Sequence, residues 1–210
     1  MTITHTDDRF HTNDGQPYWN ESSWMSFMAK DRNLGGFFYF WHRPNMQLTS
    51  AGCVIWDGEG EEIYDCAHYD WHLILKLDPG ANMYNFRADN SVEVRELELG
   101  SKYQLKYDNN GCKLDVVWEA MMDPVDHSKR SSGQIDSVIE GWIQEAAPEF
   151  PIGHFEQGAW AKGTLWLDGE EIEIDGPACR DHSWGPRDLS RAQHCCYPWS
   201  VAGPDHSSLV

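Results

Sequence analysis

The densest group of chemistry-bearing residues lies near the C-terminal end of the sequence, at residues 180–188. It combines two arginines, two aspartates, a histidine and a tryptophan in nine residues: Arg180, Asp181, His182, Trp184, Arg187 and Asp188. A histidine side chain titrates near neutral pH, so His182 could transfer a proton, and Asp181 or Asp188 could orient its ring. Trp184 could form the apolar wall of a ligand site. The pattern predicts a catalytic segment, and its structural alternative is a salt-bridged corner between two strands.

A second polar cluster, residues 153–157, follows a proline-containing loop and begins a predicted strand. Side chains alternate along a strand, so His154 and Glu156 share one face and Phe155 lies on the other. The pair could transfer a proton or bind a polar ligand group, or it could form a solvent-exposed polar face. One hairpin separates it from residues 180–188, so neighbouring strands can bring both clusters to one cavity.

Glu21 lies between two tryptophans and could be a buried carboxylate with a raised pKa, or else a surface residue of the first strand. His68, Asp70 and His72 would share one face of a strand, which leaves a mononuclear metal site open there. The sequence has no HExxH motif and no Cys-His framework. We therefore predict no metal and no cofactor, and interpret these residues as the wall of a polar-aromatic pocket.

Composition excludes several classes of partner. The chain has 210 residues, a net charge of -18 and 11 tryptophans. Such an acidic surface repels nucleic acid and anionic membranes. The six cysteines include no CxxC, which favours reduced thiols and a cytoplasmic protein. The N-terminus lacks the layout of a signal peptide, and no apolar stretch approaches the ~18 residues of a membrane span. The oligomeric state stays open.

Short apolar runs recur between Asp-Gly and Asn-Gly turns, which predicts an antiparallel sandwich or barrel. Residues 160–172, with Asp168-Gly169 as the turn, predict a hairpin. The only helix-like stretch is the weak one at 135–147. We expect a flexible N-terminus at 1–18, a β-barrel domain at 19–178, and a junction motif with the start of a second barrel or sandwich at 179–210.

Three motifs taken together resemble the family of tandem lipocalin-like proteins that includes AttH and carotenoid 1,2-hydratase (hydroxyneurosporene synthase). They are Trp19 with Glu21-Ser22, residues 153–157 and residues 180–187. The Asp-His-x-Trp-Gly element is the most specific of them, and the resemblance extends from about residue 19 to the C-terminus. It is closer to members of unassigned activity than to the carotenoid enzyme.

The resemblance implies an all-β, lipocalin-like (calycin) antiparallel barrel, followed by a second barrel, with the ligand site near their junction. Family members with known activity act on apolar isoprenoid or polyketide-like chains without a metal. In the hydratase, the His and Trp of the motif line the catalytic cavity, and they match His182 and Trp184. A downstream Tyr and Asp of that site would fall at or beyond the C-terminus, so we expect an N-terminal fragment of a longer protein.

Two functions remain open. The first is a cofactor-independent lyase, hydratase or isomerase for an apolar small molecule, in which Asp181 or Glu156 supplies the acid, His182 is base or orienter, and Trp184 stabilises a cation. The second is a lipocalin-like carrier that binds a hydrophobic molecule without chemistry. The predicted ligand-binding residues are His154, Arg180, Arg187, Trp160 and Glu21.

Overall fold

The computed structural model describes residues 3–62, 65–126 and 153–187, together with the backbone of 199–203 and 206–209. The helix-like stretch at 135–147 and Asp188 lie outside the described residues. No helix in the described part is long and apolar enough to cross a membrane.

The described residues are mostly β-structure, and their helices are three short 3-10 turns at His5–Asp8, Lys30–Arg32 and Pro44–Met46. The strands are β1 (Trp19–Ala29), β2 (Leu34–Arg43), β3 (Leu48–Trp56), β4 (His68–Lys76), β5 (Phe86–Arg87), β6 (Glu93–Glu98), β7 (Lys102–Asn109), β8 (Cys112–Ala120), β9 (Val125–Asp126), β10 (Gly153–Leu167), β11 (Glu170–Pro186), β12 (Trp199–Gly203) and β13 (His206–Leu209).

Strands β1 to β11 form one antiparallel sheet, in the order β4-β3-β2-β1-β11-β10-β8-β7-β6-β5, with β9 paired to β10. The sheet is curled into a half-barrel, and β12 pairs with β13 in a separate hairpin. The predicted all-β antiparallel fold is therefore confirmed. The domain boundary expected between residues 178 and 179 falls inside β11, so residues 180–186 continue the main sheet.

Two tight turns show why the sequence folds into hairpins. Asp168 and Gly169 join β10 to β11 with φ of 53° and 84°, and Asn110 and Gly111 join β7 to β8 with φ of 51° and 78°. Positive φ at both central residues fits a turn whose twist matches that of the flanking strands, and Asn-Gly and Asp-Gly tolerate it best. The hairpin predicted at 160–172 is confirmed.

The hydrophobic core lies on the inner face of the curled sheet, where apolar side chains from β1 to β8, β10 and β11 meet. Phe38 and Phe40 of β2, Leu114 and Val116 of β8, and Ile174 of β11 are buried there. The central strands β1, β10 and β11 bury residues of both faces near the predicted site. The site residues therefore divide between two buried faces.

The N-terminal segment, which the sequence predicts to be flexible, makes several side-chain contacts with the sheet. The Asp8 carboxylate is buried, forms an ion pair with Arg180 and accepts a hydrogen bond from the Tyr103 hydroxyl. Arg9 pairs with Glu96 of β6. The segment is polar in sequence, but its charges have partners in the sheet, and these contacts hold it against the inner face.

Candidate active site

Glu21 is the centre of a buried polar cluster on the inner face of the sheet. It lies on β1 opposite Trp184 of β11 on one side and His42 of β2 on the other. Its side chain has no solvent exposure. Of the two alternatives that the sequence leaves open for Glu21, this position fits the buried carboxylate and not the surface residue.

Four hydrogen bonds converge on the two oxygens of Glu21. The His11 backbone N–H and the Trp19 Nε1–H donate to Oε1 at 2.8 and 2.9 Å. The ring nitrogens His11 Nδ1 and His182 Nε2 each lie 3.1 Å from Oε2. Every lone-pair direction of a carboxylate can accept a hydrogen bond, so this arrangement supports a charged Glu21 without solvent.

The pKa of Glu21 differs from the raised value that its position in sequence suggests. Burial acts to raise the pKa, but the hydrogen bonds and positive charge of His11 and His182 lower it to about 2. Burial likewise acts to lower the pKa of His11, yet its contacts with Glu21 and Asp7 raise it. The cluster is therefore a carboxylate paired with a readily protonated imidazole.

His182 lies among aromatic rings. The ring centroids of Trp184, Phe155 and Tyr84 are 5.1, 5.5 and 5.7 Å from its own. Its Nε2 contacts Glu21, whereas its Nδ1 has no hydrogen-bond partner among the described residues. Glu21, and not Asp181, is thus the carboxylate that orients His182. Asp188, the other predicted orienter, lies outside the described residues.

The Trp184 indole lies between a glycine and an imidazole. His11 stacks on it with centroids 3.9 Å apart and planes 9° from parallel. A Cβ added at Gly153, its cross-strand partner, would lie 1.9 Å from the indole ring. Gly153 thus lets the ring lie against the backbone of β10, which leaves the other ring face to His11.

Arg180, predicted to bind ligand, is fully buried beside this cluster. Its guanidinium lies 4.7 to 5.5 Å from the ring centroids of four aromatic residues, and it donates to Gln157 Oε1 at 2.7 Å. Its two terminal nitrogens lie 3.0 and 3.1 Å from the Asp8 carboxylate. Nε and Nη2 donate hydrogen bonds to internal groups, and Nη1 pairs with Asp8 without a hydrogen bond, so the side chain anchors the N-terminal segment to β11.

The predicted acids lie on the opposite, outer face of the sheet. His154 Nε2 is 3.1 Å from Glu156 Oε1, as strand alternation predicts, and His154 Nδ1 is 2.6 Å from the Ser183 hydroxyl. Asp181 pairs with Glu156 across the strands and accepts a hydrogen bond from the Trp24 backbone at 2.6 Å. Burial raises the pKa of Asp181. The charge of His154 and the hydrogen bond from the Trp24 backbone act to lower this pKa, but they offset the effect of burial only in part.

Strand pairing places the two clusters side by side, as the sequence predicts, but alternation divides the side chains of each cluster between the two faces of the sheet. Asp181 and His182 are consecutive residues of β11, so their side chains leave the sheet on opposite sides. The structure brings together Glu21, His182 and Trp184, and it separates them from Asp181, Glu156 and His154 by the thickness of the sheet.

Two predicted ligand residues lie elsewhere. The Arg187 carbonyl accepts a hydrogen bond from Arg43, and its backbone N–H donates to Tyr18, just after the end of β11. Trp160 donates from its indole to Asp175 at 2.5 Å, on the β10–β11 hairpin.

The residues that could hold a metal are not those that the sequence left open. His68 contacts Tyr107 at 3.0 Å, and His72 is exposed beside Asp70. Among the described residues, one set of metal-ligand atoms lies within 4.8 Å of one another: His11, Glu21 and His182. Two imidazoles and a carboxylate form a donor set that zinc accepts.

Sequence reasoning missed two imidazoles of this region. His11 lies in the segment expected to be loose, although the Thr4-x-x-Asp7 spacing before it is a turn-capping signal, and Asp7 does accept a hydrogen bond from the Thr4 backbone. His42 is fully buried on β2, and burial lowers its pKa to about 3. Nothing in its sequence context distinguishes His42, because only the β1–β2 register places it beside Glu21.

A family model described as a domain of unknown function, DUF7064, matches residues 4–210. The chain belongs to this family. The match includes the N-terminal segment that carries His11 as well as the strands that carry Glu21 and His182. The comparison with curated proteins finds no match for this DUF7064 chain.

The comparison with solved structures finds two that are similar to the DUF7064 chain, and one of them has a TM-score above 0.5. Kievitone hydratase from Nectria haematococca is 14% identical, with a TM-score of 0.52 over 89% of this chain and 52% of its own. An AttH-like protein from Nitrosomonas europaea is 16% identical, with a TM-score of 0.49 over 82% and 52%. The DUF7064 chain spans about half the length of each. The predicted all-β, lipocalin-like fold is confirmed.

Proposed function

We propose that this chain carries the acid–base site of a cofactor-independent lyase, hydratase or isomerase that acts on an apolar, isoprenoid- or polyketide-like small molecule. One observation carries the proposal. Glu21 fixes one ring nitrogen of the buried His182, while the other has no partner among the described residues, and aromatic rings enclose the pair.

The pair can transfer a proton in either direction. When the Nε2–H of His182 donates to the ionised Glu21, Nδ1 holds the lone pair of the ring and is the basic atom. It can accept a proton from substrate or water, and Glu21 stabilises the resulting imidazolium. The same relation between carboxylate and imidazole orients the base of hydrolytic triads.

In a hydration, protonated Nδ1 of His182 gives its proton to one alkene carbon, and a C–H bond forms. The neighbouring carbon becomes positive, water adds to it, and the surplus proton of that water returns to Nδ1. Aromatic ring faces attract positive charge, and Trp184, Phe155 and Tyr84 surround His182. The same steps in reverse order are an elimination of water. An isomerisation results when His182 removes a proton from one carbon and returns it to another.

The fold supports this class of activity without specifying the substrate. Kievitone hydratase shares the fold, so the architecture is compatible with a hydratase. In our proposal Asp181 and Glu156 are not the acid, because they lie on the face of the sheet that His182 does not share. A lipocalin-like carrier has no specific observation in its favour, since it has no use for a buried Glu–His pair.

The test begins with a bound compound. The full-length protein is isolated from its own cells, and native mass spectrometry identifies any small molecule that it holds. That compound is then incubated with the protein in D2O and in water labelled with 18O. We expect deuterium or 18O to enter the compound, and Glu21→Gln or His182→Gln to slow this by about 100-fold or more.

The matched control is His68→Gln, which changes another buried histidine but lies on β4, away from the cluster. It should keep the wild-type rate, and circular dichroism should show that all variants are folded. A compound that binds the wild-type protein and acquires neither isotope would instead identify a carrier. Equal rates in the wild-type protein and a folded Glu21→Gln variant would exclude this site.

A further inference from the structure

The His11 imidazole lies flat on the Trp184 indole, as a planar ligand stacked on an aromatic ring would. Its centroid distance of 3.9 Å and interplanar angle of 9° make it the most nearly parallel ring pair at the site. Most other ring pairs around His182 and Trp184 are tilted or edge-on, with angles from 51° to 84°. The indole face that β10 leaves uncovered therefore holds a flat ring, that of His11, parallel to it.

The edge of the His11 ring also forms a hydrogen bond at this site. Nδ1 lies 3.1 Å from Glu21 Oε2, the oxygen that His182 Nε2 also contacts. His11 thus presents a flat unsaturated ring with a hydrogen-bond donor at its edge. Both features fit the surface formed by Trp184 and Glu21.

His11 is the member of the cluster that solvent reaches. Its side chain is 15% exposed, whereas those of Glu21 and His182 are 0% exposed. It lies between the 3-10 turn His5–Asp8 and β1, in a stretch without regular secondary structure, and residues 14–18 after it are exposed. Removal of His11 would uncover the stacking face of Trp184 together with the polar atoms of Glu21 and His182.

From these observations we infer that His11 is an internal substitute for the substrate. Its imidazole occupies a subsite that takes a flat, unsaturated ring bearing an O–H or N–H donor, such as a phenol or an enol. When that ring binds, the stretch between Asp8 and β1 moves away, while Asp8 stays paired with Arg180. The inference rests on the proposed function, because it names the class of molecule that the same site takes.

A self-ligand weakens the apparent affinity for any competitor, because only the fraction of molecules with an empty subsite can bind. Phenol is a suitable probe, since it is flat and carries an O–H, and cyclohexanol is its matched control with the same ring size and donor but no flat face. The His11→Gly variant should bind phenol about tenfold more tightly than the wild-type protein does, and about tenfold more tightly than it binds cyclohexanol. Isothermal titration or ligand-observed NMR measures both ratios.

The control variant is His72→Gly, which removes an exposed imidazole that also contacts a carboxylate, that of Asp70. It should bind phenol as the wild-type protein does. Equal affinity of His11→Gly and wild-type protein for phenol, or equal affinity of His11→Gly for phenol and cyclohexanol, would overturn the inference.

Hydrogen exchange on the wild-type protein needs no variant. Saturating phenol should accelerate amide exchange in residues 9–17, because His11 leaves Trp184. Slower exchange there would mean that His11 closes onto the ligand, which contradicts the inference. The two proposals fail separately. A preference for phenol without isotope incorporation supports the subsite and contradicts the acid–base function. Isotope incorporation without a preference for phenol supports the acid–base function and contradicts the subsite.

Discussion

Glu21 keeps a negative charge at a position without solvent because donors surround its oxygens. A buried carboxylate without such partners would gain a raised pKa and become neutral. Here the donors are two imidazoles, an indole and a backbone N–H. The chemistry of this residue therefore depends on parts of the chain that its local sequence does not reveal.

The lowered pKa of Glu21 predicts a pH dependence of stability. The group has a pKa of about 2 in the folded protein against 4.5 as its ordinary value, so its contribution is complete above about pH 4.5 and is lost as the pH falls toward 2. His11 is protonated in both the folded and the unfolded state over that range, so it adds nothing to the pH dependence of stability. Urea unfolding from pH 5 to 2 should show a smaller loss of stability for Glu21→Gln than for the wild-type protein. Equal slopes would contradict the assigned pKa.

Arg180 provides a stability prediction at the same scale. Arg180→Met leaves the buried Asp8 carboxylate without its cation, so we expect a loss of about 3–5 kcal/mol in the free energy of unfolding. Urea denaturation measures it. Adding Asp8→Asn should recover part of that loss, because the unpaired charge is then removed. The control is Arg32→Met, which breaks an exposed ion pair with Glu170. It should change the urea midpoint of unfolding little.

At the scale of elements, the central strands β1, β10 and β11 determine which residues meet. Because consecutive residues of β11 face opposite sides, Arg180, His182 and Trp184 join the inner cluster, while Asp181 and Ser183 join the outer one. A nine-residue motif that is dense in sequence is thereby divided into two sites.

Gly153 tests how closely β10 and β11 support the Trp184 ring. An added methyl group would overlap the indole at 1.9 Å, so Gly153→Ala must displace the ring. We expect a loss of about 1–3 kcal/mol and a changed near-UV circular dichroism signal, because the stack with His11 is disturbed. Gly80→Ala, at an exposed turn where the added carbon meets only a side chain at 3.3 Å, is the control. Unchanged spectra in Gly153→Ala would contradict this packing.

At the scale of the whole molecule, polar contacts connect the two ends of the curled sheet. Asp70 of β4 accepts hydrogen bonds from Tyr107 at 2.5 Å and Asn109 at 3.0 Å, both at the far side of the strand order on β7. Asn90 also donates to the carbonyl of Ala51 on β3 at 3.0 Å. These contacts hold β4 against β7, and β3 against the connection between β5 and β6, where no ladder of backbone hydrogen bonds joins the described strands.

Asp70→Ala should therefore loosen the closure of the sheet. It leaves the buried hydroxyl of Tyr107 and the partly buried amide of Asn109 without this acceptor, which costs about 1–3 kcal/mol. Hydrogen exchange should accelerate first in β4, which is the end strand of the sheet. Asp108→Ala, an exposed change on β7, should leave that exchange unaltered. Uniform acceleration over all strands would mean that Asp70 supports global stability and not closure.

The sequence by itself determined the type of element and the kind of chemistry. Alternating apolar residues and Asp-Gly or Asn-Gly turns specify antiparallel hairpins because both signals act over a few residues. The density of ionisable groups around His182 indicated a special segment for the same local reason. The alternation that places His154 with Glu156 was also predictable.

Only the tertiary structure decided which of these residues meet. Strand pairing between β1 and β11 joins Glu21 to His182 across 161 positions of sequence, and the ion pair of Asp8 with Arg180 brings His11 to both. Long-range register and the pairing of buried charges depend on the whole sheet, so no local pattern contains them. The partners that this long-range pairing brings to Glu21 lower its pKa, whereas burial alone would have raised it.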